Sequence, residues 1–560
     1  MNWPHWIVMP IIAPLMTGAL LVLLERRESR HVRSIALFTS VALVLLSVFL
    51  IMLADDGTVR AYLLGNWAMP FGISLALDRL SALMLLLTSI VGLAGLLYAG
   101  GGDARRGAHF HALMMFQLAG LNGAFLTADL FNLFVFFEVL LIASYGLLLH
   151  GGGPHRLRAA IHYVAFNLAG SALFLIAVSL IYGLTGTLAM ADLATRIATL
   201  PATDATLIRI AGTLLLIVFC VKAALLPLYF WLPETYSAAS APAAAVFAIM
   251  TKVGVYAIAR VGTLAFGVDS PGPAAGLFQS WMPAFALATL ALGATGAVAA
   301  RRLRVLVAYL VVASAGTLIT AIALGTAGTL SAGLFYLIHS TLVAAAMFLL
   351  VDRMTAARGR AADMIEAAGF GAGKAMLGAG FFVLALAFAG MPPLAGFIGK
   401  ALLLQASADT SYGVWVWMVV LPASLAMIIA LSRAGSTVFW QPSPEDDPLT
   451  KKTSHAVRPG AVGIGSALGT DGTGSAGQRS ALVMLGTLLI GSAVLAGPIR
   501  AYTGATADQL LARGSYIDAL QSARPVTPRL DVRREMREQG KLKGQAKDAA
   551  NSDLHKEQRQ

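Results

Sequence analysis

Apolar runs of about twenty residues recur along this chain, and they leave little choice of fold. A helix of that length crosses the hydrocarbon core of a bilayer, and lipid offers no partner to an unpaired backbone group. Such runs fall at roughly 6–24, 34–54, 78–99, 110–127, 130–149, 160–183, 208–231, 238–258, 280–299, 304–325, 330–351, 377–404, 413–434 and 480–497, which makes about fourteen spans. The expected class is therefore an all-α polytopic membrane protein. Only 12% of the residues are charged, about half the share of a soluble protein. The net positive charge sits in loops and tail, the ordinary membrane pattern, and implies no nucleic acid. A single cysteine, Cys220, excludes an internal disulfide and a thiolate iron–sulfur site. The first run lacks a basic leader and a small-residue cleavage site, so it reads as a retained span.

Loop charge orients the array. Arg26, Arg27, Arg30 and Arg33 follow span one, Arg105 and Arg106 span three, and Arg156 and Arg158 span five. Arg301, Arg302 and Arg304 follow span nine, Arg353, Arg358, Arg360 and Lys374 span eleven, and Lys451, Lys452, Arg458 and Arg479 span thirteen. The alternate loops hold only scattered bases such as Arg60, Arg196 and Arg260. By the positive-inside rule the odd-numbered loops are cytoplasmic and the N-terminus is outside. Residues 441–479 read as a flexible cytoplasmic loop. The tail from 498 to 560 is polar and basic, with a short amphipathic helix expected at 509–523.

Within this apolar background, charge is costly. Lys222 lies near the middle of span seven and Lys252 near the middle of span eight, where a lysine costs roughly 2.5–3.5 kcal/mol. Pro227, five residues after Lys222, breaks span seven and frees a carbonyl near Ala223. Glu138 interrupts span five, and Lys222 is its candidate partner. His339 lies mid-span in eleven. Lys400 follows the helix-breaking Gly390-Met391-Pro392-Pro393 in span twelve. The chain thus repeats one device, a proline-interrupted span with a buried lysine nearby, which points to a transporter with an ion site at mid-membrane. Lysines that snorkel to the headgroups, or a static ion pair, are the bland readings. A static pair accounts for Glu138 and Lys222 but not for Lys252, His339 and Lys400, which lack obvious acidic partners. Burial favours the neutral form of a lysine, so Glu138, Lys222, Lys252, His339 and Lys400 are read as a proton relay. His162, near one end of span six, and Glu234, after Pro233, are candidate access residues. Asp78 is expected to cap span three. No cofactor or metal is expected.

These residues resemble a known family. Glu138, the run from Lys222 to Glu234 (KAALLPLYFWLPE), Lys252, Leu337-Ile338-His339-Ser340 and the run from Met391 to Lys400 (MPPLAGFIGK) look like the antiporter-like subunits shared by respiratory complex I and the Mrp multisubunit cation/proton antiporters. Lys400 and the sequence around Ala507–Leu511 and Tyr516–Leu520 are most similar to the D-type chains of Mrp antiporters. The resemblance covers roughly residues 5–500. It implies inverted five-helix repeats at 108–262 and 280–434, preceded by helices 1–3 (1–107) and followed by a loop (435–479), helix fourteen (480–497) and the tail (498–560). It implies broken helices seven and twelve, and a proton path through Glu138, Lys222, Lys252, His339 and Lys400. It further implies a secondary transporter subunit of a bacterial cell membrane, assembled with other Mrp subunits and exchanging Na+ or K+ for H+. The alternative is a proton-pumping subunit of a complex I-like oxidoreductase or membrane-bound hydrogenase. His162 departs from the lysine many relatives carry there.

Overall fold

A computed structural model describes residues 4–25, 31–370, 373–442 and 474–525. Arg26, Arg27 and Arg30, residues 443–473 of the expected loop with Lys451, Lys452 and Arg458, and the tail from 526 to 560 lie outside the described residues. Those described form nineteen α-helices and one β-hairpin. In order they are α1 (Met9–Glu25), α2 (Val32–Ala54), the antiparallel strands β1 (Arg60–Leu63) and β2 (Ser74–Leu77), α3 (Arg79–Ala99), α4 (Phe110–Leu126), α5 (Leu130–Leu149), α6 (Pro154–Thr185) and α7 (Met190–Ala198). Then come α8 (Ala205–Ala223), α9 (Trp231–Ala238), α10 (Ala241–Ala265), α11 (Met282–Ala299), α12 (Leu303–Ala323), α13 (Ala327–Ala357), α14 (Lys374–Ala389), α15 (Ala395–Ser407) and α16 (Gly413–Gly435). The last three are α17 (Ala476–Val494), α18 (Ala496–Leu511) and α19 (Arg513–Gln521).

Eleven of these helices are long and apolar enough to cross a membrane, and α1, α4 and α14 are shorter apolar helices. Together they match the fourteen expected spans. Several begin where the sequence supplies a side-chain cap. Asp78 accepts from the Ser81 amide at 2.9 Å while its own amide donates to Ser81 Oγ at 2.9 Å. This reciprocal cap starts α3 as expected and contributes about 1 kcal/mol. Asp129, Thr326 and Ser475 likewise accept a first-turn amide of α5, α13 and α17.

Apolar side chains cover the outside of the bundle as well as filling its core. Phe38, Leu45, Met52, Ile161, Leu168 and Val414 face outward, where lipid or a neighbouring chain solvates them. The innermost helix is α10, every residue of which is buried except Thr263. It packs on α3, α8, α12 and α13.

One charge sits elsewhere than expected. Arg260 reads as a loop base from sequence, yet α10 runs two turns beyond its expected end and buries it. It forms an ion pair with Asp78 at 2.5 Å. The start of the expected tail is also more structured than a polar tail suggests. In place of one amphipathic helix, α18 and α19 pack against the hairpin end. There Tyr502 donates to the Arg79 carbonyl at 2.9 Å, Gln509 to the Gly57 carbonyl at 2.8 Å and Arg513 to the Leu264 carbonyl at 3.1 Å. The hairpin strands and α7 are too short to be read as spans.

Candidate functional site

Two interrupted helices frame the site. The first break ends α8 at Ala223, with Ala224 at φ 56°. Its freed groups are taken up by neighbours: Trp231 Nε1 donates to the Val221 carbonyl at 3.1 Å, and the Leu226 amide to Thr289 Oγ1 at 2.9 Å. Lys222 lies in the last turn of α8, at the carbonyl end that favours a cation. Its Nζ donates to Asn167 Oδ1 at 3.1 Å and lies 5.7 Å from the centre of the Phe137 ring. Glu138, half-buried on α5, accepts from the Ser171 hydroxyl. Glu138 and Lys222 therefore do not touch as a direct ion pair. They are joined through α6, where Asn167 and Ser171 stand one turn apart on one face.

The second break ends α14 at Gly390, at φ +75°, a left-handed conformation that suits glycine. Its terminal carbonyls receive two of the expected relay residues. His339 Nε2 donates to the Ala387 carbonyl at 2.9 Å, and Lys400 Nζ to the Ala389 carbonyl at 2.8 Å and Ser424 Oγ at 3.1 Å. His339 Nδ1 has no partner among the described residues. In both breaks a lysine thus meets the negative end of the first half-helix, though Lys222 comes from that half and Lys400 from the second. Between the breaks lies Lys252, fully buried on α10, with Ser314 Oγ at 3.4 Å.

Exposure separates these groups from snorkelling side chains. Lys222 and Lys400 are 5% exposed, His339 2% and Lys252 0%. The elements that carry them touch in sequence, from α5 through α6, α8, α10, α12 and α13 to α15 and α16. His162 and Glu234 meet at 3.4 Å on the surface of α6 and α9, away from that buried line. Among the described residues no three histidine, cysteine or acidic side chains cluster as a metal site. Sequence reasoning missed Asn167, Ser171, Ser314 and Ser424. The first two were legible as polar residues at i and i+4 in an apolar span; a serine in the other two helices gave no such signal.

At one end of the bundle the loop arginines form a network. Arg304 pairs with Asp352 at 2.6 Å and donates to the Ala239 carbonyl, Arg302 pairs with Asp363 at 3.1 Å, and Arg106 pairs with Asp103 at 3.3 Å. Burial, reinforced by the nearby Asp352, pushes the Asp103 carboxyl up to about 6 against the opposing pull of Arg106, Arg304 and Arg156.

Fold and site define a multi-pass membrane protein with ionisable groups buried at two interrupted helices and on the continuous helices between and beside them. The family model described as NADH:quinone oxidoreductase/Mrp antiporter, TM, matches residues 127–428, more than half of the chain, and the chain belongs to that family. The D subunit of a probable K(+)/H(+) antiporter from Rhizobium meliloti (strain 1021) is 41% identical over 552 residues, covering 93% of this chain and 98% of that one. The D subunit of the Na(+)/H(+) antiporter from Bacillus subtilis (strain 168) is 34% identical over 462 residues, covering 82% and 91%. A chain of the Mrp complex from Dietzia sp. DQ12-45-1b superposes with a TM-score of 0.80 at 26% identity, over 93% of this chain and 100% of that one.

Proposed function

We propose that the chain is the proton-translocating D subunit of a multisubunit Na+(K+)/H+ antiporter in a bacterial cell membrane. The observation that carries this reading is the row of buried Lys222, Lys252, His339 and Lys400 without a direct acidic partner among the described residues. Each alternates between a protonated and a neutral form. Two cations in a low-dielectric interior repel strongly, so a proton arriving at one favours release from the next. Glu138 would begin the line, linked to Lys222 through Ser171 and Asn167. It stands on a face of α5 that also exposes Phe131, Val135 and Ile142, which suits contact with another subunit. The arginine-rich end is cytoplasmic by the positive-inside rule, which puts the N-terminus outside. The names of the two antiporter relatives support the same assignment.

The test uses inside-out vesicles from cells expressing the whole gene cluster. A pH gradient is built, Na+ or K+ is added, and collapse is followed for the parent and for Lys222→Ala. Cation-dependent collapse that the substitution removes is expected. An assembled parent complex that gives no collapse would instead favour a pump driven by electron transfer.

A further inference from the structure

Gln117 of α4 is the most anomalous polar side chain outside the relay. It is wholly buried, and neither its amide nitrogen nor its amide oxygen has a partner among the described residues. Leaving both ends of an amide dry and unpaired is costly, and native proteins rarely do so. Its neighbours on α4 place it. Leu113, four residues earlier, packs on Gly146 of α5, and Met114, three earlier, packs on Gly95 of α3 beside Pro242 and Val246 of α10. Gln117 lies one turn on from both, in the seam between α4, α5 and α10.

Depth follows from a second contact. The Tyr256 hydroxyl of α10 donates to the Phe125 carbonyl of α4 at 2.7 Å. With Met114 level with Pro242 at one end and Phe125 with Tyr256 at the other, the two helices run the same way. Gln117 lies about 12 Å back along α4 from Phe125, and Lys252 about 6 Å back along α10 from Tyr256. Gln117 therefore stands about one to two turns from Lys252 along the helix axes, on the side of the arginine-rich end. Farther along the same seam, Ser240 precedes the first turn of α10, next to Ala239, which Arg304 holds. The Ser240 hydroxyl is likewise buried and without a partner among the described residues.

We infer that Gln117 is a positioning residue that holds water in this seam and so feeds protons from the arginine-rich end to Lys252. Water is small enough to reach a closed seam, and it both donates and accepts, as the two ends of the amide require. In the transfer, one O–H bond of the chain breaks as an N–H bond forms at the neutral amine of Lys252. The positive charge appears on Lys252, and a proton from the far end of the chain replaces the one given up. This rests on the antiporter reading, and it adds a supply route from one face to the middle of the line.

The experiment compares parent, Glu138→Gln, Gln117→Leu and Gln117→Asn in vesicles carrying the whole complex. The rate of cation-dependent collapse of a pH gradient is measured beside assembly and thermal unfolding of the purified complex. Exchange by the parent that Glu138→Gln removes establishes the antiporter reading on its own; a silent parent overturns that reading, and this inference with it. Given an active parent, Gln117→Leu is expected to slow exchange roughly tenfold, as losing one hydrogen bond in a rate-limiting step does. Its unfolding temperature is expected to stay level, because leucine fills the same apolar seam and needs no hydrogen-bond partner once the water leaves. Gln117→Asn, which keeps the amide, is expected to restore most of the rate. Parental exchange by Gln117→Leu overturns the inference. Equal loss in both variants, or loss that tracks falling stability, also overturns it and assigns Gln117 to packing.

Discussion

Asp78 and Arg260 are buried together, and their energetics are those of a pair removed from water. The guanidinium also lies 4.9 Å from Tyr516 and 5.4 Å from Tyr256, measured to the ring centres. Breaking such a pair strands a charge, so Arg260→Leu is expected to cost about 3–5 kcal/mol. The double variant Asp78→Asn with Arg260→Leu keeps an N-cap and should recover most of that loss. Thermal unfolding of the purified complex reads both. Asp103 offers a pH test outside the membrane. Its carboxyl is raised above the unfolded value, so the native state gains from it below about pH 4 and loses that gain as pH rises through about 6. Asp103→Asn, permanently neutral, should match the parent at pH 4 and exceed it by about 1–3 kcal/mol at pH 8; an advantage that instead grows toward acid would refute the assignment. At this scale the sequence was informative wherever a charge interrupted an apolar run. Lys222, Lys252, His339 and Lys400 are buried within their helices, and Glu138 is half-buried. Arg260 escaped because it lies near the end of its span, where a base looks like a loop residue. The direct Glu138–Lys222 contact expected from charge alone is replaced by a bridge through α6, because α5 and α8 flank α6.

At the scale of elements, the two broken helices are what let backbone carbonyls serve as ligands for side chains. A continuous α14–α15 helix would spend the Ala387 and Ala389 carbonyls on its own ladder. Instead they receive His339 and Lys400. The second half-helix must come close for this. A Cβ on Gly396 would lie 2.5 Å from both His339 Nε2 and the Ala387 carbonyl oxygen. Gly396→Ala is therefore expected to push α15 off α14, break the His339 bond, cost about 1–3 kcal/mol and abolish exchange. Assembly and vesicle transport would check this together, and normal transport would show that the His339 contact is dispensable. The breaks themselves were legible, since Pro227 and the Pro392–Pro393 pair stand inside apolar runs. The exact turns were not, because a proline says where a ladder stops and not which neighbour takes the freed groups. The hairpin, α7 and α9 were missed for a related reason. They are short, and span counting registers only segments that satisfy their backbone across the whole bilayer.

For the whole molecule, the C-terminal helices act as a clasp on the end away from the arginine network. Gln509 accepts from the Arg79 amide at 3.1 Å as well as donating to Gly57, so α18 ties the start of α3 to the loop between α2 and the hairpin. A chain ending after residue 497 loses every contact of this clasp and should accumulate poorly in membranes, whereas one ending after residue 525 retains them all. Immunoblots of membrane fractions separate the two, and equal levels would show that the clasp is dispensable. The buried position of α10 carries a different consequence, for how the protein is made. A helix emerging from the ribosome is accepted by the bilayer on its own apolarity, yet α10 carries Lys252 and Arg260 and finally shows almost no surface to lipid. Its permanent neighbours α12 and α13 have not been synthesised when it first reaches the membrane. Biogenesis therefore has to shelter α10, in the insertion machinery or against α3 and α8, until the second half of the chain arrives to enclose it.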